Sequence, residues 1–411
     1  MPLVVQKFGG TSLADAERIR SVADHVARTR RQGSDVVVVV SAMGKETDEL
    51  LHLARQVSRV QPGRELDMLI TAGERKAMAL LCMALAELEC PAASFTGSQA
   101  GLITDTAHTR AKIVEVRGDR LRQALEAGQV PVVGGAQGVS NGRDVTFLGR
   151  GGSDTTAVAL SHALGAGVCE LYTDVSGVFT ADPRVEPSAR RLRELSFEEM
   201  LEMSASGCPK PETRSVEFAR NHGVALHIRS SFTWEPGTWV VSAEDAEKRR
   251  AEESSMEQAI ISAVVHDTSE AKVTVTHVPD RPGIAARLFR SLADEHVNVG
   301  MIEQNVSIGG TTDISFTVPK AFLDVSLRVC RSHADELGAN DVIADPDIAN
   351  VSLIGAGMKT HPGIAATMFE TLAEEGVNIE MISTSPIRIS CVVHSDNVER
   401  AVQSLHAAFG L

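Results

Sequence analysis

The chain has 411 residues, 43% of them hydrophobic and 23% charged, a composition that excludes gross disorder at a length suited to two or three domains. A net charge of −14 and an aromatic share of 4% argue against general attraction to nucleic acid or anionic lipid. A nucleotide held by a few local donors stays open. The cysteines Cys82, Cys90, Cys169, Cys208, Cys330 and Cys391 form neither a CxxC pair nor a Cys/His cluster at zinc spacing. No metal site is expected from them, and they read as buried or idle reduced thiols. The N-terminal MPLVVQKFGG lacks a signal-peptide core, and no apolar stretch reaches the roughly 18 residues of a membrane span. The expected location is cytoplasmic.

In chain order, the apolar runs Leu3–Val5, Asp35–Ser41, Gln129–Gly134, Cys169–Thr173 and Val224–Ile228 alternate with amphipathic stretches such as Asp15–Arg30 and Glu74–Glu87. Buried β-branched runs between helices predict a mainly parallel sheet covered on both faces. The first run ends in Lys7-Phe8-Gly9-Gly10-Thr11-Ser12, where glycines at a strand-to-helix turn let backbone approach a phosphate and Lys7 supplies positive charge. A purely structural turn would read the same way, and no Walker A pattern occurs anywhere in the chain. Ser41, Thr47 and Glu74 lie at the next strand end and at helix starts.

The stretch Leu148-Gly149-Arg150-Gly151-Gly152-Ser153-Asp154 opens a further helix. Arg150 can grip a carboxylate in bidentate fashion, while Ser153 and Asp154 also fit helix N-caps. Thr173 and Asp174 follow the Cys169–Thr173 strand, and the turn-rich loop beyond carries Asp182 and Arg184. Ligands bind at strand carboxyl ends in such sheets. Together these residues suit ATP-dependent transfer to a small zwitterion. An ionised acceptor carboxylate needs no general base, which agrees with the lack of a nucleophile–base motif.

The charged stretch Ser242–Glu257 reads as a domain boundary. Beyond it, Pro282–Ile302 and Pro362–Ile382 are copies offset by 80 residues, with 13 of 21 positions identical. Each copy reads as strand, Pro-Gly turn, helix and strand. The free N–H groups at each helix start suit a small carboxylate, and a plain dimerisation module is the alternative.

The KFGGTS, LGRGGSDTTA and YTDV-GVFTADPR motifs, with the doubled PGIAA…F…LA…VN…MI units, make the chain resemble an aspartate kinase of the amino acid kinase family. The resemblance implies an α/β fold, an amino acid kinase-like three-layer α/β/α domain followed by two α+β, ferredoxin-like ACT domains. It places the catalytic domain at 1–245, a linker at 246–262 and the ACT domains at 263–342 and 343–411. It implies transfer from ATP, with Mg2+, to the β-carboxylate of L-aspartate, giving 4-phospho-L-aspartate for lysine, threonine and methionine biosynthesis. The rivals are another amino-acid acceptor, or a degenerate kinase serving as an amino-acid sensor.

By the same resemblance, Lys7 and Asp154 are catalytic, and Lys7, Gly9, Gly10, Ser12, Thr173, Asp174, Asp182, Arg184 and Lys210 hold ATP. Ser41, Thr47, Glu74, Arg150, Gly151, Gly152 and Ser153 hold aspartate. Lysine or threonine effectors meet Asp280, Arg281, Pro282, Gly283, Gln304 and Asn305, opposed by Thr360, His361, Asn378 and Ile379. The resemblance implies a homodimer or an α2β2 assembly through the ACT domains, in which Met256 is either an internal start for the β chain or an ordinary linker residue. Three departures stand out: Pro209 falls where the family has its ATP lysine, leaving Lys210 one place late; Ser176 replaces an Asp; and Pro386 replaces a Glu. Pro386 is expected to remove a charge and a strand donor, altering feedback inhibition.

Overall fold

The computed structural model describes residues 2–251, 260–305, 309–356, 358, 361 and 363–411. Met256 and Thr360 lie outside the described residues. Contacts divide the chain into two compact units. The first holds Met1–Val178, Arg191–Ser204 and Pro209–Met256, and the second Phe179–Arg190, Ala205–Cys208 and Glu257–Leu411.

The first unit is built on an eight-stranded sheet in the order Glu194–Ser196, Thr238–Val241, Leu226–Ser230, Val168–Thr173, Leu3–Phe8, Asp35–Val40, Val130–Gly134, Ala92–Phe95. From Leu226–Ser230 onward every neighbouring pair is parallel; Thr238–Val241 runs antiparallel. Val36 to Val40 are all fully buried, as a strand covered on both faces requires. On one face Val36, Val38 and Val40 share a core with Ile19, Val22 and Val26 of the helix Ala16–Arg31 and Leu81 and Leu85 of the helix Ala72–Glu87. The other face meets the helix Gly152–Leu164, which also packs on Thr213–His222. The three-layer α/β/α reading is therefore correct.

A second sheet of this unit has no counterpart in the sequence reading. Its strands Ile113–Val116, Leu102–Thr104, Gln137–Ser140 and Val145–Phe147 span only three or four residues each, too short for a periodic signal. It delivers the chain directly to Arg150. The stretch read as a boundary contains a helix, Ala243–Ala251, whose Ala246 is buried.

The second unit holds two four-stranded sheets, ordered Ile302–Gln304, Thr311–Pro319, Glu270–Pro279, Asp341–Asp345 and Ile260–Asp267, Ile348–Ala356, Arg388–His394, Met381–Ser385. The repeat copies supply one helix to each, Ile284–Asp294 and Ile364–Glu374. The strand Ile260–Asp267, which the sequence boundaries place in the linker and the first copy, pairs antiparallel with Ile348–Ala356 of the second. Its pairing satisfies a row of backbone groups that would otherwise edge the second sheet. Two stretches between catalytic-domain segments also belong to this unit. The Val264 N–H donates to the Thr180 carbonyl at 2.7 Å, the Thr180 hydroxyl meets His406 Nε2 at 2.9 Å, and Ala181 lies in the core with Leu353, Met368 and Leu405.

Candidate active site

Parallel strands bring their carboxyl ends to one sheet edge, where backbone bonds stitch the following residues together. The Ser41 N–H donates to the Phe8 carbonyl at 3.1 Å, Gly135 to Val40 at 2.8 Å, Gly9 to Tyr172 at 3.3 Å and Ser231 to Thr173 at 2.9 Å. Lys7, Gly9, Gly10, Ser12, Ser41 and Thr173, predicted from separate motifs, thus lie along one edge. Lys7 is buried and ion-paired with Asp154, which sits in the first turn of the helix Gly152–Leu164. A side-chain carbon on Gly10 would stand 2.8 Å from both the Ala42 and Gly44 carbonyl oxygens, so glycine is required for this close approach. Ser12 is buried and accepts from the Ser231 hydroxyl at 2.7 Å.

Glu74 enters the same edge from the helix Ala72–Glu87. It is 3% exposed, its Oε2 has no hydrogen-bond partner among the described residues, and burial pushes its carboxyl up to about 7. Glu46, on the neighbouring helix Glu46–Val57 that also carries Thr47, pairs with Lys76 at 2.6 Å. The strand end Gly134-Gly135 lies between Glu74 and Ser153. A carbon on Gly135 would meet the Ser153 side chain at 2.7 Å, and one on Gly134 would meet Glu74 at 3.4 Å. Arg150 is exposed and has no ion-pair partner among the described residues. Gly151 precedes the helix with φ +70°, a conformation that favours glycine, and Gly152 and Ser153 are buried at its start.

Thr173 is held by its own turn, its hydroxyl accepting from the Val175 N–H at 3.0 Å, while Asp174 is exposed beside it. Beneath them, Tyr172 stacks on Phe8 with centroids 4.8 Å apart and donates to Glu170 at 3.0 Å. Burial favours the neutral acid of Glu170, but hydrogen bonds from His227 and Gln6 and the charge of Arg229 hold it down at about 2. Asp182 and Arg184 belong to the second unit and pair with each other at 2.6 Å. Lys210 lies half-buried in the turn before the helix Thr213–His222.

In the second unit a cavity of about 330 Å³ is lined by Asp280, Arg281, Pro282, Gly283 and Gln304, with Thr312 and Ile314. Asn305 is exposed, its carbonyl accepting from the Thr312 hydroxyl at 2.8 Å. His361, Asn378 and Ile379, expected opposite these residues, do not line that cavity; they belong to the second copy, whose strands form a separate sheet. Pro386 occupies the turn between Met381–Ser385 and Arg388–His394, where Ser385 already pairs with Arg388. The expectation that it removes a strand donor is corrected: the turn residue owes the ladder no N–H. Burial pushes the Cys169 and Cys391 thiols up to about 12, and Cys82 and Cys330 to about 11.

Sequence reasoning missed Asp67, whose buried carboxylate accepts three bonds near this site, and Gly134-Gly135 as the spacer between Glu74 and Ser153. The QVPVVGG run carried a signal for the spacer. Nothing in the local pattern marked Asp67.

Fold and site together define a phosphoryl-transferring enzyme with a regulatory region. Residues 2–230 match the amino acid kinase family, and residues 261–333 and 351–409 match the ACT domain. The chain is 54% identical to the aspartokinase of Mycolicibacterium smegmatis, covering 100% of this chain and 97% of the relative. Among solved structures it resembles aspartate kinase from Synechocystis, at 43% identity and TM-score 0.55, over 100% of this chain and 69% of that one. It also resembles E. coli aspartokinase III in complex with lysine and aspartate, at 25% identity and TM-score 0.74, over 99% of each chain. The chain belongs to the amino acid kinase family, within its aspartokinase branch.

Proposed function

We propose that this enzyme transfers the γ-phosphoryl group of ATP to the β-carboxylate of L-aspartate. The observation that carries the reading is the buried Lys7–Asp154 pair at the strand edge that also receives Glu74. Lys7 stabilises charge on the transferring group, with Asp154 holding its ammonium in place. Gly9, Gly10 and Ser12 admit the phosphates, and Thr173, Asp174 and Lys210 contact the rest of the nucleotide; the resemblance adds Asp182 and Arg184. Arg150 takes the α-carboxylate, Glu74 the α-ammonium, and Ser41, Thr47, Gly151, Gly152 and Ser153 complete the acceptor site. The acceptor carboxylate is ionised at neutral pH, so positioning replaces a general base.

Among the described residues no group of three or more acidic, His or Cys side chains could hold a metal ion. Mg2+ would therefore be held mainly by the phosphates, beside Asp154, and would neutralise their charge. Asp280, Arg281, Pro282, Gly283, Gln304 and Asn305 suit a lysine or threonine effector, with Thr360, His361, Asn378 and Ile379 as the partner set. The edge strands Ile302–Gln304 and Met381–Ser385 expose Ile302 and Ile382, which supports association of two copies as a homodimer or within an α2β2 assembly. A cytoplasmic setting fits the use of ATP and free amino acids, and no helix of the described residues is long and apolar enough to cross a membrane.

The test is ADP release with MgATP and L-aspartate, with and without lysine plus threonine. Aspartate-dependent turnover supports the reading. Turnover only with another acceptor in a panel of amino acids overturns it.

A further inference from the structure

Asp67 lies in the helix Gly63–Ile70 and is fully buried, yet its carboxylate is completely satisfied. Oδ1 accepts the Thr109 N–H at 2.9 Å, and Oδ2 accepts the Phe147 N–H at 3.1 Å and meets His108 Nδ1 at 2.7 Å. The Asp67 carbonyl accepts the Thr71 hydroxyl at 2.8 Å. Its side chain therefore bonds two distant backbone stretches, at Thr109 and at Phe147, while its own carbonyl holds the Thr71 side chain one turn on in the same run.

The run that carries Asp67 and the stretch at Phe147 each lead to an acceptor-recognising group. Thr71 directly precedes the helix Ala72–Glu87, which carries Glu74 in its first turn. Phe147 ends the strand Val145–Phe147 and is followed by Leu148, Gly149 and Arg150. The stretch after Thr109 braces the one at Phe147: the Ala111 N–H donates to the Phe147 carbonyl at 2.9 Å, and Arg214 donates to the Leu148 and Ala111 carbonyls at 2.8 and 2.9 Å. Thr109 itself has φ +67°, a conformation that costs a threonine energy and persists only where its surroundings hold it. Its N–H bond to Asp67 is one such hold.

We propose that Asp67, with His108 as its side-chain partner, is a positioning residue that sets the separation between Glu74 and Arg150. It thereby determines how long an amino acid the site accepts. A fixed gap between the ammonium and carboxylate subsites places the side-chain carboxylate at one distance from the nucleotide. Loosening the brace relaxes that distance while leaving the nucleotide side, built on Lys7 and Gly9-Gly10, in place. The proposal rests on Arg150 and Glu74 gripping the acceptor.

The experiment compares D67N, H108A, H108N and R150A in the full-length protein, measuring KM for aspartate and for ATP and the aspartate-to-glutamate ratio of kcat/KM. In D67N the amide can accept but also turns a donor toward backbone N–H groups. Expected for D67N is a rise of roughly tenfold or more in KM for aspartate, unchanged KM for ATP and a narrowed aspartate-to-glutamate ratio. H108A should move the same way, and H108N, whose amide can replace the Nδ1 donor, should recover most of the loss. If D67N does not fold, the H108A and H108N pair decides alone. Equal increases in both KM values, or an H108N no better than H108A, would overturn the proposal. If R150A leaves KM for aspartate unchanged, the acceptor site itself has been misassigned. If R150A raises it and neither D67N nor H108A does, only the brace fails.

Discussion

Lys7 and Asp154 form an ion pair nearly withdrawn from water, with side chains 6% and 3% exposed. Removing one partner leaves the other charged and buried, which costs about 3–5 kcal/mol. D154A is expected to lower the thermal midpoint markedly. K7M should cut kcat by on the order of a hundredfold or more, with KM for aspartate little changed, because it removes charge stabilisation of the transferring group. Steady-state kinetics with a thermal melt of each variant checks both. A K7M enzyme with near-normal kcat would remove Lys7 from the chemistry.

Glu74 titrates at about 7 in the folded protein because burial disfavours its charge. Below that pH it is neutral and offers no charge to an ammonium group, so KM for aspartate should fall as pH rises through about 7. E74Q should bind aspartate poorly and lose this pH dependence. The stability effect has the opposite sign. An acid whose folded value is raised stabilises the fold only while protonated, so its contribution is complete below the unfolded value of 4.5 and lost as pH rises through about 7. E74Q should therefore melt above wild type in mildly alkaline buffer and show no such advantage in acid.

Gly10 approaches two backbone carbonyls, neither of which can rotate away. G10A is expected to cost about 2–4 kcal/mol and most of the activity, whereas Gly33, with nothing within 4 Å, should accept Ala at only the cost of its φ of +92°. Urea unfolding of the two variants side by side is the check, and equal midpoints would contradict the close approach.

Pro386 in a hairpin turn leaves the ladder Met381–Ser385 to Arg388–His394 intact. Feedback by lysine plus threonine is therefore expected to survive in the wild-type protein, and P386E to shift the inhibition curve without creating it. An enzyme insensitive to both amino acids until P386E is introduced would reverse this reading.

Local patterns revealed what local physics determines. Asp35–Val40 reads as a strand buried on both faces, and Gly9-Gly10 as a tight turn after the strand Leu3–Phe8. The doubled PGIAA motif located both regulatory helices because each begins immediately after its Pro-Gly. What escaped depends on partners distant in sequence. Asp67, for one, finds Phe147 across 80 positions. Pro386 was misplaced by a strand pattern that reads through a two-residue turn.

The six stretches that make up the two units mean that the chain passes from one to the other five times. A regulatory fragment started at Met256 would carry neither Phe179–Arg190 nor Ala205–Cys208. It would lack the Ala181 side chain in its core and the Thr180 hydroxyl bonded to His406. Made separately, such a fragment keeps an open seam that only the rest of the gene product can close.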